Sequence, residues 1–164
     1  RLASRLQAAR TEGMSVAWLA IKAGGRNYLL PLGQSGEIVP LTHLQAVPYA
    51  LDWFRGVLNI RGGLFGEVDL AGFIAASGGE ARLEPAVTEP SGVTLNALLE
   101  VNCALQVDVL SGLRGPDAFV ASKPALADAP LYFGNQFFDA AGDQWQEINL
   151  RTLSQTPQFL SISA

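Results

Sequence analysis

Apolar and polar residues alternate with a period of two over much of this chain, most clearly between Leu99 and Val109. There Leu99, Val101, Cys103, Leu105, Val107 and Val109 are apolar, while Glu100, Asn102, Gln106 and Asp108 are polar. Such alternation sends one set of side chains to a buried face of a strand and the other set to the opposite face. With Val93 to Leu98 added, a single strand would exceed the usual ~3–10 residues. A break or hairpin is therefore expected near Leu99–Asn102. Val16 to Lys22 also reads as a strand, but its apolar residues fall on both faces, as in a central or barrel strand. Ala23-Gly24-Gly25-Arg26 supplies a hairpin turn. Asn27 to Leu32 returns from it, and Pro31 places the end of that strand at an edge or bulge. Glu37-Ile38-Val39 makes a short strand stopped by Pro40.

The stretch from Trp53 to Leu70 reads as two strands around a tight turn at Gly62-Gly63. Val57, Leu58 and Ile60 are β-formers before the turn, and Leu64, Phe65 and Val68 follow it. Asp69 is a candidate N-cap for a short helix reaching Ala76. Arg61 stands at the lip of the turn. It is either a solvated turn charge or a cation held at a surface and aimed outward.

Further along, Ser111 to Pro116 reads as a turn and Ala118 to Ala121 as a strand. Leu131 to Phe138 is an aromatic-rich strand interrupted at Gly134-Asn135. Asp139 to Asp143 turns the chain, Trp145 to Ile148 pairs back, and Asn149 caps a last short helix through Ser154. Many short strands with close turn signals predict an all-β sandwich or barrel with minor helix. Two segments depart from this period. Residues 1–13 place Leu2, Leu6 and Ala9 at helical spacing, with Arg1, Arg5 and Arg10 on other faces, which predicts an amphipathic helix, packed on the body by default, with a membrane surface or a partner as the alternatives. Residues 77–92 are dominated by Gly, Pro, Ser and Glu, which predicts a mobile connection and a boundary between lobes.

Composition narrows the class. The chain has 164 residues, 49% hydrophobic and 16% charged, with mean hydropathy +0.22. That supplies a sizeable core within one domain. Net charge is −4, from 11 Lys and Arg against 15 Asp and Glu, with Lys22 and Lys123 as the lysines. Nucleic acid is therefore not an expected partner, since phosphate binding needs clustered cations. Cys103 is the single cysteine, which excludes an internal disulfide and a thiolate metal cluster; its apolar setting makes it a small buried hydrophobe. A cytoplasmic compartment fits this usage. No apolar run reaches the ~20 residues that span a bilayer, and no secretory signal is read. The chain opens at Arg1, which suggests a trimmed boundary.

Little bond-making chemistry is visible. There is no phosphate-binding Gly-Lys-Ser/Thr loop, no His-Glu-x-x-His and no Gly-x-Ser-x-Gly. His43 is the single histidine and reads as structural or solvated. Glu67 and Asp69 share one side of a strand, where carboxylates are usually solvated or paired with Arg. No cofactor or metal site and no catalytic residue is expected, and the chain is not expected to be an enzyme. The alternative is a small-molecule-binding or enzymatic β-barrel, using a pocket lined by Tyr132, Phe137 and Trp145.

One set of residues adds a specific resemblance. Val47-Pro48, Trp53, Gly56-Val57-Leu58-Asn59-Ile60-Arg61-Gly62 and Asp69-Leu70 resemble the signature of CheW-type coupling proteins of bacterial chemosensory arrays. Glu37 after an opening strand pair, and Val107 to Leu113, fit the same pattern. Gly66 stands where the family often has Pro, and the Phe- and Trp-rich C-terminal part is unusual, which suggests a divergent member serving a pilus-linked (twitching) pathway. The resemblance implies two five-stranded SH3-like barrel lobes around a shared core, in one domain over residues 1–164, the body spanning 14–164. It implies an adaptor that joins the cytoplasmic tip of a methyl-accepting chemoreceptor to the regulatory domain of a CheA-type histidine kinase. Such a protein would lie in the cytoplasm at membrane-bound receptor arrays without inserting into the membrane. Carried over, Arg61, with Gly62 beside it, and Glu37 sit together near a receptor-binding groove. Ile38, Val39 and Leu58 are candidates for lining that groove; the alternative for these three is ordinary core.

Overall fold

In the computed structural model, described over residue 2 and residues 17–41, 46 and 51–160, the strands form two antiparallel-rich sheets. The six-stranded sheet has the order β8-β1-β2-β11-β10-β9 and the five-stranded sheet the order β3-β6-β7-β5-β4. Its strands are β1 (Trp18–Ala23), β2 (Arg26–Pro31), β3 (Ser35–Pro40), β4 (Phe54–Ile60), β5 (Gly63–Asp69), β6 (Ser91–Leu95), β7 (Cys103–Val107), β8 (Val109–Arg114), β9 (Phe119–Lys123), β10 (Phe133–Asp139) and β11 (Gln144–Ile148). Three short helices follow β5 and β11: α1 (Leu70–Ala76), α2 (Leu150–Ser154) and α3 (Pro157–Leu160).

The two-faced reading of the first strand has a direct structural counterpart. Leu19 and Ile21 of β1 stand opposite Leu30 and Tyr28 of β2, and all four enter the main core. Ala20 stands opposite Leu29 on the other face, in a second core with Trp18 and Trp145. The main core also takes Val68, Val93, Leu95, Leu105 and Val107 from the five-stranded sheet, with Leu70, Phe73 and Ile74 of α1. It is therefore shared between the lobes. Gly24 and Gly25, at φ 61° and 78°, close the β1–β2 hairpin, because the two-residue loops that match strand twist need positive φ at both positions.

One lobe has six strands where five were expected. The long alternating run is broken twice. A 3-10 turn at Ala97–Leu99, ended by Glu100 in left-handed conformation, provides the expected break before β7. At Asp108 the chain then leaves the five-stranded sheet, and β8 adds to the free edge of β1. Asp108 fastens the crossing: its Oδ2 accepts from the Gly24 amide at 2.8 Å, and its own amide donates to the Lys22 carbonyl at 2.9 Å. Ser111–Arg114, expected as a turn, is strand for this reason.

The 77–92 connection links α1 to β6 and so lies within the five-stranded lobe; it is not the boundary between lobes, which the chain crosses after β2 and at Asp108. Residues 80–84 of it are tied to the body of the lobe and to the β1–β2 turn. Glu80 pairs with Arg26 at 2.6 Å, Arg26 Nε donates to the Ala81 carbonyl, and the Leu83 amide donates to the Gly24 carbonyl at 2.7 Å. Arg82 Nη2 donates to both carboxylate oxygens of Asp69, at 2.8 and 2.7 Å. Asp69 does begin α1, but its side chain serves Arg82 instead of capping the helix. Asn149 caps α2 as expected, its Oδ1 accepting from the Thr152 amide at 2.9 Å. The Gly134-Asn135 interruption is a register shift between β10 and β11. Leu2 is helical and packs on the main core; the rest of the expected 1–13 helix, His43 and Val47-Pro48 lie outside the described residues.

Candidate functional site

The β4–β5 hairpin turns one residue earlier than expected. Ile60 pairs with Gly63, so Arg61 and Gly62 are the two loop residues, at φ 52° and 81°. Positive φ at both suits a type I′ turn. For a residue with a Cβ this conformation costs roughly 1–2 kcal/mol. Asn59 offsets part of that cost: its Oδ1 accepts from the Gly62 amide at 2.9 Å and pins the turn. A side chain projected from such a turn is held clear of both strands, and Arg61 is exposed.

Glu37 is brought to the same place by a different device. Ser35 pairs with Leu95 and Ile38 with Val93, so Gly36 and Glu37 together face the single residue Thr94. This is a β-bulge, which bends a strand and re-aims a side chain. Buried Thr94 fixes it, its Oγ1 accepting from the Glu37 amide at 2.7 Å. Position 36 must be glycine here, since a Cβ would collide with Thr94 Oγ1 and lie 2.6 Å from the Leu95 carbonyl. The result is an ion pair, Arg61 Nη2 to Glu37 Oε2 at 2.6 Å, with the two side chains 78% and 46% exposed. At that exposure the pair adds only about 0–1 kcal/mol to stability.

The pair stands between two grooves. One, of about 430 Å³, is lined by Glu37, Ile38, Val39, Pro40, Asn59, Ile60 and Arg61. The other, of about 340 Å³, runs past Ser35, Gly36, Glu37, Ile60, Phe65, Thr94, Asn96 and Val101. Glu37 and Ile60 belong to both. Of the residues singled out from the sequence, Glu37, Ile38, Val39 and Arg61 converge on the first groove, where Val39 is buried in its floor. Gly62 forms the turn. Leu58 is buried and lines neither groove, which leaves it in the packing beneath the hairpin. Leu98 on the 3-10 turn beside the second groove is 84% exposed, and Leu64, across from Asn59, is 64% exposed. Asn59, Thr94 and Asn96, whose Oδ1 accepts from the Leu98 amide, were not singled out as site residues. Bulges and cross-strand anchors join distant segments and leave no local spacing signal.

Other chemistry is sparse. Among the described residues no group of three or more His, Cys, Asp or Glu side chains could hold a metal. Cys103 is fully buried, and burial pushes its thiol up to about 12, so it is inert at neutral pH. The aromatic pocket of the alternative reading does not assemble: Tyr132 lies in the main core, its hydroxyl 2.5 Å from Ser77 Oγ, while Trp145 and Phe137 lie in the second core. No helix among the described residues is long and apolar enough to cross a membrane.

A two-lobed β body that presents an exposed ion pair beside two surface grooves has the form of a binding module. The sequence model of the CheW-like domain matches residues 17–129, and the chain belongs to that family of scaffold and adaptor proteins. It is 28% identical over 165 residues to Protein PilI of Pseudomonas aeruginosa, covering 99% of this chain and 89% of that one. The fold is also that of the scaffolding protein TtCheW from Thermoanaerobacter tengcongensis, with a TM-score of 0.67 at 14% identity, over 88% of this chain and 95% of that one.

Proposed function

We propose that this chain is a non-enzymatic adaptor that couples the cytoplasmic tip of a methyl-accepting chemoreceptor to the regulatory domain of a CheA-type histidine kinase. It acts in the cytoplasm, at membrane-bound receptor arrays, in a pilus-linked pathway. Membership of the CheW-like family supports the coupling role, and likeness to a protein named PilI over nearly the whole chain supports the pilus-linked setting. The observation that carries the reading is the Arg61–Glu37 pair. Two separate backbone devices, a bulge and a left-handed turn, are maintained to present an ion pair that contributes little to the fold. Exposed charge fixed in this way sets register and partner choice. A receptor helix would lay its apolar face along Ile38, Val39 and Ile60 and present polar groups to the pair, a helix-in-groove mode.

The test mixes the purified chain with a receptor-tip fragment and a kinase regulatory domain and follows association by calorimetry and size-exclusion chromatography. The expected result is saturable binding of each partner and a ternary complex containing all three. Failure to bind either partner would overturn the reading.

A further inference from the structure

Glu67 belongs to no site described so far. It is 3% exposed, yet its Oε1 has no hydrogen-bond partner. Holding a charged carboxylate with one oxygen buried and unpaired is unfavourable, because that oxygen has lost water and gained no donor. Its position in the sheet is unusual too. Phe54 pairs with Val68 and Gly56 with Glu67, so Arg55 is an extra residue and β4 bulges directly opposite Glu67. Gly56 reaches φ 139° to make that bulge. β4 is the outer strand of the sheet, so the ladder to β5 is its sheet pairing among the described residues. The neighbour on the inner side, across β7, is Ala104, which offers no side-chain donor.

The charged groups around Glu67 are few. β4 provides Arg55, which is exposed, and β5 provides Asp69, whose carboxylate is already engaged by Arg82. β7 provides Ala104 and Gln106, both neutral. Burial raises the Glu67 carboxyl above the ordinary carboxylate range, Arg55 opposes this, and Asp69 adds to it.

We propose that the Arg55–Gly56 bulge is a proton-operated hinge: ionising the Glu67 carboxyl packed opposite it loosens the first half of β4 from β5. Below the unfolded-state value the carboxyl is protonated in both states and adds no pH-dependent penalty. The penalty grows as pH rises from there to the folded-state value, and is complete above it. Stability of the hinge therefore falls with rising pH. The expelled carboxylate moves toward water and Arg55. The inference does not depend on which partner the hairpin binds.

The full chain labelled with ¹³C at Glu carboxyls tests this. The Glu67 signal is expected to titrate clearly above the ~4.3 of an unperturbed glutamate. Amide-exchange protection of those β4 amides that donate to β5, corrected for intrinsic rates, is expected to fall by up to tenfold per pH unit over the same interval, the limit set by one proton. Leu19 and Leu30 in the other lobe should stay level, and Glu67→Gln should flatten the β4 profile. A Glu67 titration in the ordinary range overturns the proposal. So do β4 protection that does not change with pH and protection that falls equally in both lobes. The wild-type titration and exchange decide the matter even if Glu67→Gln fails to fold.

Discussion

The two lobes bury different things. The six-stranded sheet is largely apolar on both faces: Leu19, Ile21, Tyr28 and Leu30 enter the shared core, and Trp18, Ala20, Leu29 and Trp145 enter a second one with Phe119 and Phe137 against it, while buried Gln146 donates to the Gly134 and Glu147 carbonyls. The five-stranded sheet is apolar toward the shared core, through Val68, Val93 and Leu105. Residues of the opposite alternation, however, include buried Glu67, Thr94 and Gln106. The ion pair, both bulges opposite Thr94 and Glu67, and the left-handed Arg61 turn all fall in this second lobe. Both sheets carry register shifts, but in the five-stranded one a bulge aims Glu37 at the surface and another stands opposite the buried Glu67 side chain. Backbone strain and buried polar groups of this kind concentrate where a protein binds or switches.

The comparison can be broken most sharply at Trp145. Trp145→Ala removes one of the two tryptophans of the second core and is expected to cost about 3–5 kcal/mol in urea unfolding, without loss of the ion pair's geometry. A cost below about 1 kcal/mol would mean that the six-stranded lobe does not depend on its own core. Asp69→Ala comes next. It leaves the Arg82 guanidinium without its fork and is expected to cost about 1.5–3 kcal/mol. It should also raise protease cleavage within residues 77–92; unchanged cleavage would show that the connection is held by its other ties. Thr94→Val keeps the volume but removes the acceptor for the Glu37 amide, with an expected cost of about 1 kcal/mol. Its larger effect should be on receptor-tip binding, through a mis-aimed Glu37.

Much of the six-stranded lobe was legible in the sequence, because strand alternation and glycine turns are local signals. The two-faced strand from Trp18, the Gly24-Gly25 hairpin and the Asn149 cap all follow from residues close in the chain. The errors share a cause. Asp108 gives no breaker signal, since the crossing it fastens is defined by Gly24 and Lys22, more than eighty residues away. Glycine pairs are the usual holders of positive φ and point to a turn at Gly62-Gly63, whereas Asn59 secures Arg61 within it. Residues 77–92 have the composition of a free linker, but Arg26, Asp69 and Gly24 tether them from distant strands. At the site, the resemblance supplied Arg61 and Glu37, while the bulge that joins them depends on Thr94 in a strand reached only through the fold.

The claim at the centre is that Arg61 and Glu37 serve recognition more than folding. A four-variant cycle of wild type, Arg61→Glu, Glu37→Arg and the double exchange measures both at once, by thermal unfolding and by titration with a receptor-tip fragment. Each single variant is expected to lose at least tenfold in affinity while stability stays within about 1 kcal/mol of wild type, and the double exchange is expected to leave binding impaired. Full affinity in Arg61→Glu, or its recovery in the double exchange, would contradict the account.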